Sequence, residues 1–341
     1  MDNHPDLSAA DQSHLREVLH PYQRPDLRRS LMQLASSVLP FLLLWYLMVL
    51  SLKVSYWLTL GLAVIAAGFM MRTFIIFHDC GHGSFFKSRR ANEWVGILTG
   101  LLAFTPYHHW THDHAIHHAT AGDLDRRGVG DVQTLTAREY LALPAWKRAG
   151  YSIFRHPLIM FTVGSFLVFT VFHRFPRPNS GPRERWSVYW TNLALAAIIA
   201  GLILLIGWKA YLMIQVPIML VGTSMGVWLF YVQHNFEGTY WVRHDRWDFF
   251  KTGLYGSSFY QLPAVLNWFS GNIGYHHIHH LNSRIPNYHL PVCYRQDPML
   301  HVRPLTIGPS LRSLRLRFWD EEAGRMIGFK ELKGLAARGN V

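Results

Sequence analysis

The stretch VSYWLTLGLAVIAAGFMMRTFIIFHDCGH, residues 54–82, joins a membrane-like run to a histidine-bearing tip. Residues 54–71 carry no charge. An uncharged run of about 18 or more residues reads as a membrane-spanning helix, because about 20 residues at about 1.5 Å each cross about 30 Å of hydrocarbon. Arg72 is placed to snorkel its guanidinium to the boundary. Thr73–Phe77 then carry the helix a turn or more beyond it, with His78 at the tip and His82 four residues on.

Three further uncharged runs, 31–50, 186–208 and 210–232, repeat the pattern. A buried helix of a soluble protein is the ordinary alternative for one such run, but four together argue against it. The chain of 341 residues is 50% hydrophobic and only 16% charged, against about 25% charged in average soluble domains. That composition excludes disorder, and two cysteines, Cys80 and Cys293, exclude a disulfide scaffold. Residues 1–29 are polar and mixed in charge, without the apolar core of a cleavable signal peptide. The net charge of +12 comes with no basic–aromatic groove motif and no zinc-finger spacing, so nucleic acid is not the expected partner. A basic membrane protein more simply faces the anionic cytoplasmic leaflet.

Loop charge sets the expected orientation. Lys53 is the only charge between the first two runs and Lys209 the only one between the last two. Arg24, Arg28 and Arg29 precede the first, and Arg174, Arg177, Arg183 and Arg185 precede the third. The expectation is an all-α integral membrane protein: four transmembrane helices forming two hairpins, both termini cytoplasmic, and a cytoplasmic helical cap. It is read as one domain over 1–341, with an N-terminal segment 1–29, a core 30–280 and a basic tail 281–341. Two shorter apolar stretches, 94–107 and 157–172, are expected in or near the interface rather than across the membrane.

Twenty-one histidines equal all Asp and Glu in number. His78 and His82 stand at i, i+4; His114, His117 and His118, and again His276, His279 and His280, stand at i, i+3, i+4. Each set shares a helix face. At this histidine content an H-x-x-H-H pattern is expected less than about once in ten such chains, and here it occurs twice. Clustered imidazoles bind transition metals, and eight or nine exceed one ion's coordination sphere, which suggests two metals with open positions. Imidazole suits iron, copper, zinc and nickel alike, so the donors leave the metal's identity open. At the mouth of a helical bundle, where a lipid chain can reach it, a metal pair suits O₂ activation against an unactivated C–H bond. A metal transporter would instead carry ligands near the midplane, where these runs hold no ionisable residue.

The segments F-H-D-C-G-H-G-S-F-F-K-S (77–88), H-x-x-H-H-A-T (114–120), L-D-R-R-G-x-G-D (124–131), Q-H-N-F-E (233–237) and G-N-I-G-Y-H-H-I-H-H-L (271–281), with R-I-P-N-Y (284–288), resemble the membrane fatty acid desaturases. The wording is most like that of the bacterial acyl-lipid desaturases. The resemblance implies two non-haem irons, O₂ as co-substrate, two external electrons per turnover and a cis double bond in a lipid-linked, favourably glycerolipid-linked, acyl chain. The ligands it implies are His78, His82, His114, His117, His118, His276, His279 and His280, with His234 at the end of the fourth run as a ninth. It leaves open the double-bond position (Δ5 or Δ12 type) and the related hydroxylase or carotenoid-modifying chemistry.

Weaker candidates are His108 and His109, through an alternative i, i+4 pairing of His108 with His112, and Asn272 as a holder of metal-bound water; His112 and His277 point off the shared faces and are expected beside the ligands or at the surface. Asp79, Asp113, Asp123, Asp125 and Glu237 are candidates to orient ligand imidazoles. Cys80 reads as a small packing residue. Trp45, Tyr46, Trp57, Trp190, Trp228 and Phe230 are candidates to line an acyl tunnel. No iron–sulfur cysteine set, dinucleotide fingerprint or haem module is present, so electrons come from a separate donor such as ferredoxin or flavodoxin. Lys87, Arg89, Arg90 and the basic tail are the expected docking charges.

Overall fold

A computed structural model describes residues 4–337. Among them, four helices are long and apolar enough to cross a membrane: Leu27–Ser51, Tyr56–Gly81, Pro182–Ile206 and Trp208–His234. The Asp26 side chain accepts from Arg29 N–H to start the first. Ser51 and Thr59 hydroxyls, 2.8 Å apart, tie the first hairpin across its turn. The second hairpin turns on one residue, Gly207, whose φ of +82° a side chain would strain.

The second helix is the axis of the bundle. Its apolar window is 61% buried, against 39% for the fourth, 22% for the first and 11% for the third. Small residues allow this, since close backbone approach holds helices together where lipid gives no hydrophobic drive. Ala63, Ala66 and Ala67 are fully buried. On the fourth helix, a Cβ at Gly222 would meet Met70 Cε at 2.1 Å, so the methionine fills the space that glycine leaves.

The short apolar stretches differ from expectation in their limits. The first helix of the cap is Arg89–Leu102, capped by Ser88, with Trp94 and Leu98 presenting an exposed apolar stripe. The chain breaks at Phe104, φ 55°, and a separate helix, Tyr107–Thr120, begins after Pro106. Residues 94–107 are therefore not one element. The segment 157–172 joins the preceding helix, Ala145–Phe154, in a pair bent by 69°. That geometry is one of a broken span or a re-entrant loop.

Residues 281–337 do not trail away as a tail. Leu290, Cys293 and Leu300 are fully buried in one cluster with Ile278, Phe250 and, from the helix Ala9–Leu19, Leu15 and Leu19. Both terminal segments thus clasp the cap. Two small sheets accompany its helices: Leu135–Thr136 pairs parallel with Phe318–Asp320, which pairs antiparallel with Arg325–Ile327, and Phe259–Tyr260 pairs parallel with Pro304–Leu305. Strands this short carry no periodic signal, which is why helical patterning hid them. Buried Arg155 knots the parts together, donating to Gln133 O and Thr134 Oγ1 at 2.9 Å, Tyr231 Oη at 3.0 Å and Leu316 O at 3.2 Å.

Candidate metal centre

Four segments converge where the second and fourth long helices end. The second helix brings His78 and, at its C-cap, His82. The helix Tyr107–Thr120 brings His114, His117 and His118; the fourth long helix ends on His234; and the short helix His276–Leu281 brings His276, His279 and His280. The nine imidazoles form two groups, His78, His82, His114, His118 and His279 in one and His117, His234, His276 and His280 in the other. Within each, the candidate ligand atoms lie within 4.8 Å of one another. Helix geometry divides them: on both H-x-x-H-H segments, one i, i+4 pair enters one group and the remaining histidine enters the other. His118 and His280 stack across the divide with ring centroids 4.2 Å apart.

The donors fit metal ions. Nε2 of His234 lies 3.1 Å from Nε2 of His117 and 3.0 Å from that of His276, which is 3.1 Å from that of His280. In the other group, His118 Nε2 is 3.2 Å from His114 Nε2 and 3.0 Å from His279 Nε2. Two nitrogens at right angles on an ion about 2.1 Å away are about 3.0 Å apart, whereas a tetrahedral angle sets them about 3.4 Å apart. Hydrogen bonds alone would make His234 share one N–H between two rings. The buried Nε2 of His82 has no hydrogen-bond partner at all. A cation accepting one lone pair from each ring satisfies all of these atoms, and right-angle spacing, with five donors in one group and four in the other, differs from a closed tetrahedral zinc site.

Electrostatics keep the rings neutral. Burial, reinforced by the neighbouring imidazoles, holds His82, His114, His118, His276, His279 and His280 well below the ordinary histidine value. A neutral imidazole has the lone pair that a metal needs. Trp110 stacks on His114 at 4.3 Å and fixes its plane.

Among the carboxylates, Asp79 touches a clustered ring: its Oδ1 is 3.2 Å from His78 Nδ1, while Oδ2 accepts from Asn287 N and Nδ2, both at 2.8 Å. The others are engaged elsewhere. Asp113 faces Arg177, Asp123 accepts from His244, Asp125 accepts from Arg243, and Glu237 accepts from Arg312. Asp131, absent from the sequence candidates, accepts a hydrogen bond from His117 Nδ1. Burial would raise its carboxyl, but His117 beside it holds it below its ordinary value. Its signal was the final D of L-D-R-R-G-x-G-D. Gly130 at φ +70° packs on Asp113 O and His117 Cβ, where a Cβ of its own would come within 2.9 and 3.1 Å of them.

The weaker histidine candidates lie outside the groups. His108 faces Glu93 at 3.0 Å, His109 accepts from Arg177 N, His112 is exposed, and His277 donates to Leu300 O at 2.9 Å. Asn272, at φ 59°, is a turn residue bonded to Asn267 and to Asn287 O. Cys80 is buried in an apolar cluster with Phe77 and Phe85.

An apolar cavity of about 420 Å³ leads away from the centre. His78, His114 and His276 line one end, and Met70, Gly222 and Gly226 line the other. Met70 precedes His78 by eight residues, about 12 Å along a helix. The bent pair supplies much of one wall, including Phe154, Met160 and Phe169. Of the six aromatic candidates only Phe230 reaches this cavity. Trp57, Trp190 and Tyr46 are instead 82%, 62% and 59% exposed on the outer face of the bundle, Trp45 donates to Gln215, and Trp228 packs on Phe161.

A membrane-embedded enzyme that sets a histidine metal centre against hydrocarbon is the class defined by this arrangement. The chain belongs to the fatty acid desaturase family, whose model matches residues 55–300, and it acts as a fatty acid desaturase. It is 46% identical to a fatty acid desaturase of Bacillus subtilis over 326 residues, covering 95% of this chain and 93% of that protein. It is 31% identical over 233 residues to an sn-1 acyl-lipid omega-3 desaturase (ferredoxin) of Synechocystis, covering 64% and 61% respectively.

Proposed function

We propose that this desaturase introduces a cis double bond into a glycerolipid-linked acyl chain, using O₂ and two electrons from a separate donor. The nine clustered histidines would hold two irons, His78, His82, His114, His118 and His279 one of them and His117, His234, His276 and His280 the other. The observation that carries this reading is the continuity of the two histidine groups with one apolar cavity. When bound, the iron pair supplies the oxidising power to remove hydrogen from an unactivated methylene. The overall balance is –CH₂–CH₂– + O₂ + 2 e⁻ + 2 H⁺ → –CH=CH– + 2 H₂O.

The chain's own residues do the positioning. Phe74, Ile75, Met160 and Phe230 enclose the hydrocarbon and exclude water, and the depth of the cavity relative to His78 selects which carbon pair lies beside the centre. Asp131 and Asp79 hold the His117 and His78 rings through Nδ1, which keeps Nε2 free to coordinate. The same proposal sets the centre and both termini on the cytoplasmic side, on the evidence of the arginines flanking the first and third spans.

Gas chromatography–mass spectrometry of total fatty acids, from cells making the protein against a His279→Ala copy, tests the reading. A new cis-unsaturated acyl chain made only by the intact protein is expected, and its fragmentation fixes the position. A new hydroxylated lipid would replace desaturation with hydroxylation as the outcome.

A further inference from the structure

The centre has a second approach. A cavity of about 480 Å³ reaches His118 and His280, whereas the apolar cavity ends on His78, His114 and His276. No residue of the four long helices lines it; its walls come from the N-terminal helix and following turn, Phe249 and Phe250, and residues 281–284. His118 and His280 belong to different groups, and their rings stack. One opening therefore faces both halves of the centre.

Its rim is basic. Arg16, His20 and Arg284 line it, all exposed, and no carboxylate does. Neither guanidinium has a carboxylate partner among the described residues. Arg16 sits 4.8 Å from the centre of the Phe250 ring, so the charge at the mouth is held over an aromatic wall. Lys87, Arg89 and Arg90, the docking charges expected from sequence, are also exposed but lie at the start of the helix Arg89–Leu102 and do not line this opening.

We propose that this basic-rimmed cavity is the docking site of an acidic one-electron carrier protein of the ferredoxin class. The inference rests on the reading that electrons come from a separate donor. Per double bond the carrier delivers two electrons in two one-electron steps. These, two protons from water and the two hydrogens leaving the acyl chain reduce O₂ to two waters. Delivery through His118 and His280 keeps the carrier away from the apolar cavity while that cavity holds substrate, which a carrier seated among the spans would not. Charge complementarity selects an acidic partner and makes its binding salt-sensitive.

The test uses the full-length, iron-loaded enzyme in lipid nanodiscs, reduced either by an acidic [2Fe–2S] ferredoxin or by dithionite with a small viologen mediator. Arg16→Glu and Arg284→Glu are each expected to raise KM for ferredoxin at least about tenfold at low salt. The ratio of ferredoxin-driven to viologen-driven turnover should fall with it, and the difference from wild type should shrink in high salt. The triple variant Lys87→Glu, Arg89→Glu, Arg90→Glu is expected to leave that ratio near wild type. Because the ratio corrects for damaged protein, an unchanged ratio in both rim variants overturns the proposal, as does a fall confined to the triple variant. If either reversal prevents folding, Arg284→Gln carries the same readout, with a smaller expected rise in KM. Wild-type enzyme that desaturates equally well without any added reductant would overturn the external-donor reading, and this site with it.

Discussion

His117 is held at one nitrogen by Asp131, so its proton sits on Nδ1 and the lone pair of Nε2 points at His234. Asp131→Asn retains an acceptor but loses the charge, and Asp131→Ala loses both. Iron affinity is expected to fall about 10–100-fold in the alanine variant and less in the asparagine variant, as measured by chelator competition, because an unheld ring loses both orientation and basicity. Exposed His112→Ala, a candidate by spacing alone, is expected to leave affinity unchanged. Eight of the nine ligand candidates were legible because three and four residues along a helix bring side chains onto one face; His234 was legible only through the family resemblance. Asp131 was not, because it stands fourteen residues beyond His117, across a loop turned by glycines, and no spacing rule describes that path.

Among the elements, the long helices do more than anchor the centre. The second and fourth approach closely because Gly222 leaves room for Met70, and both residues line the far end of the apolar cavity. Gly222→Leu is expected to drive the Met70 side chain toward the cavity and shorten it. The fatty acid profile should then shift toward shorter substrates, or toward a double bond nearer the methyl end, with total iron content unchanged. An unaltered profile would show that acyl chains do not extend to this depth. The four spans were readable from charge-free length alone. The break at Phe104 was missed, because apolar content runs through it from Trp94 to Tyr107 and outweighed the helix-breaking Pro106; the φ of 55° and the packing of Tyr107 beneath Gly96 reveal two elements.

At the scale of the whole molecule, burial holds a set of clustered histidines outside the spans as neutral rings, among them His82, His114, His118, His276, His279 and His280. Released by unfolding, each would titrate near about pH 6.5. Below that pH the unfolded chain binds protons that the folded chain refuses. Stability is therefore complete above about pH 6.5 and falls as pH drops through it toward the depressed folded values. The metal-free protein is expected to unfold at a lower temperature at about pH 5.5 than at about pH 7.5, and iron, which competes with protons for the same nitrogens, to dissociate over the same range. A thermal midpoint flat across that interval would mean that the rings are not held neutral.

The sequence by itself determined that this is a membrane protein, how many helices are long and apolar enough to span, and which histidines share a face. Each of these depends on length, charge and helical period, which are properties of neighbouring residues. Only the tertiary structure decided how the histidines divide into two groups, since the facing partner of each ring comes from a distant segment. It also decided that residues 281–337 are part of the cap. Their burial depends on Leu15 and Leu19 at the opposite end of the chain, a pairing set by packing rather than pattern. The two cavities follow from the same cause: the space on either side of the centre is what packing leaves unfilled, and no stretch of sequence contains it.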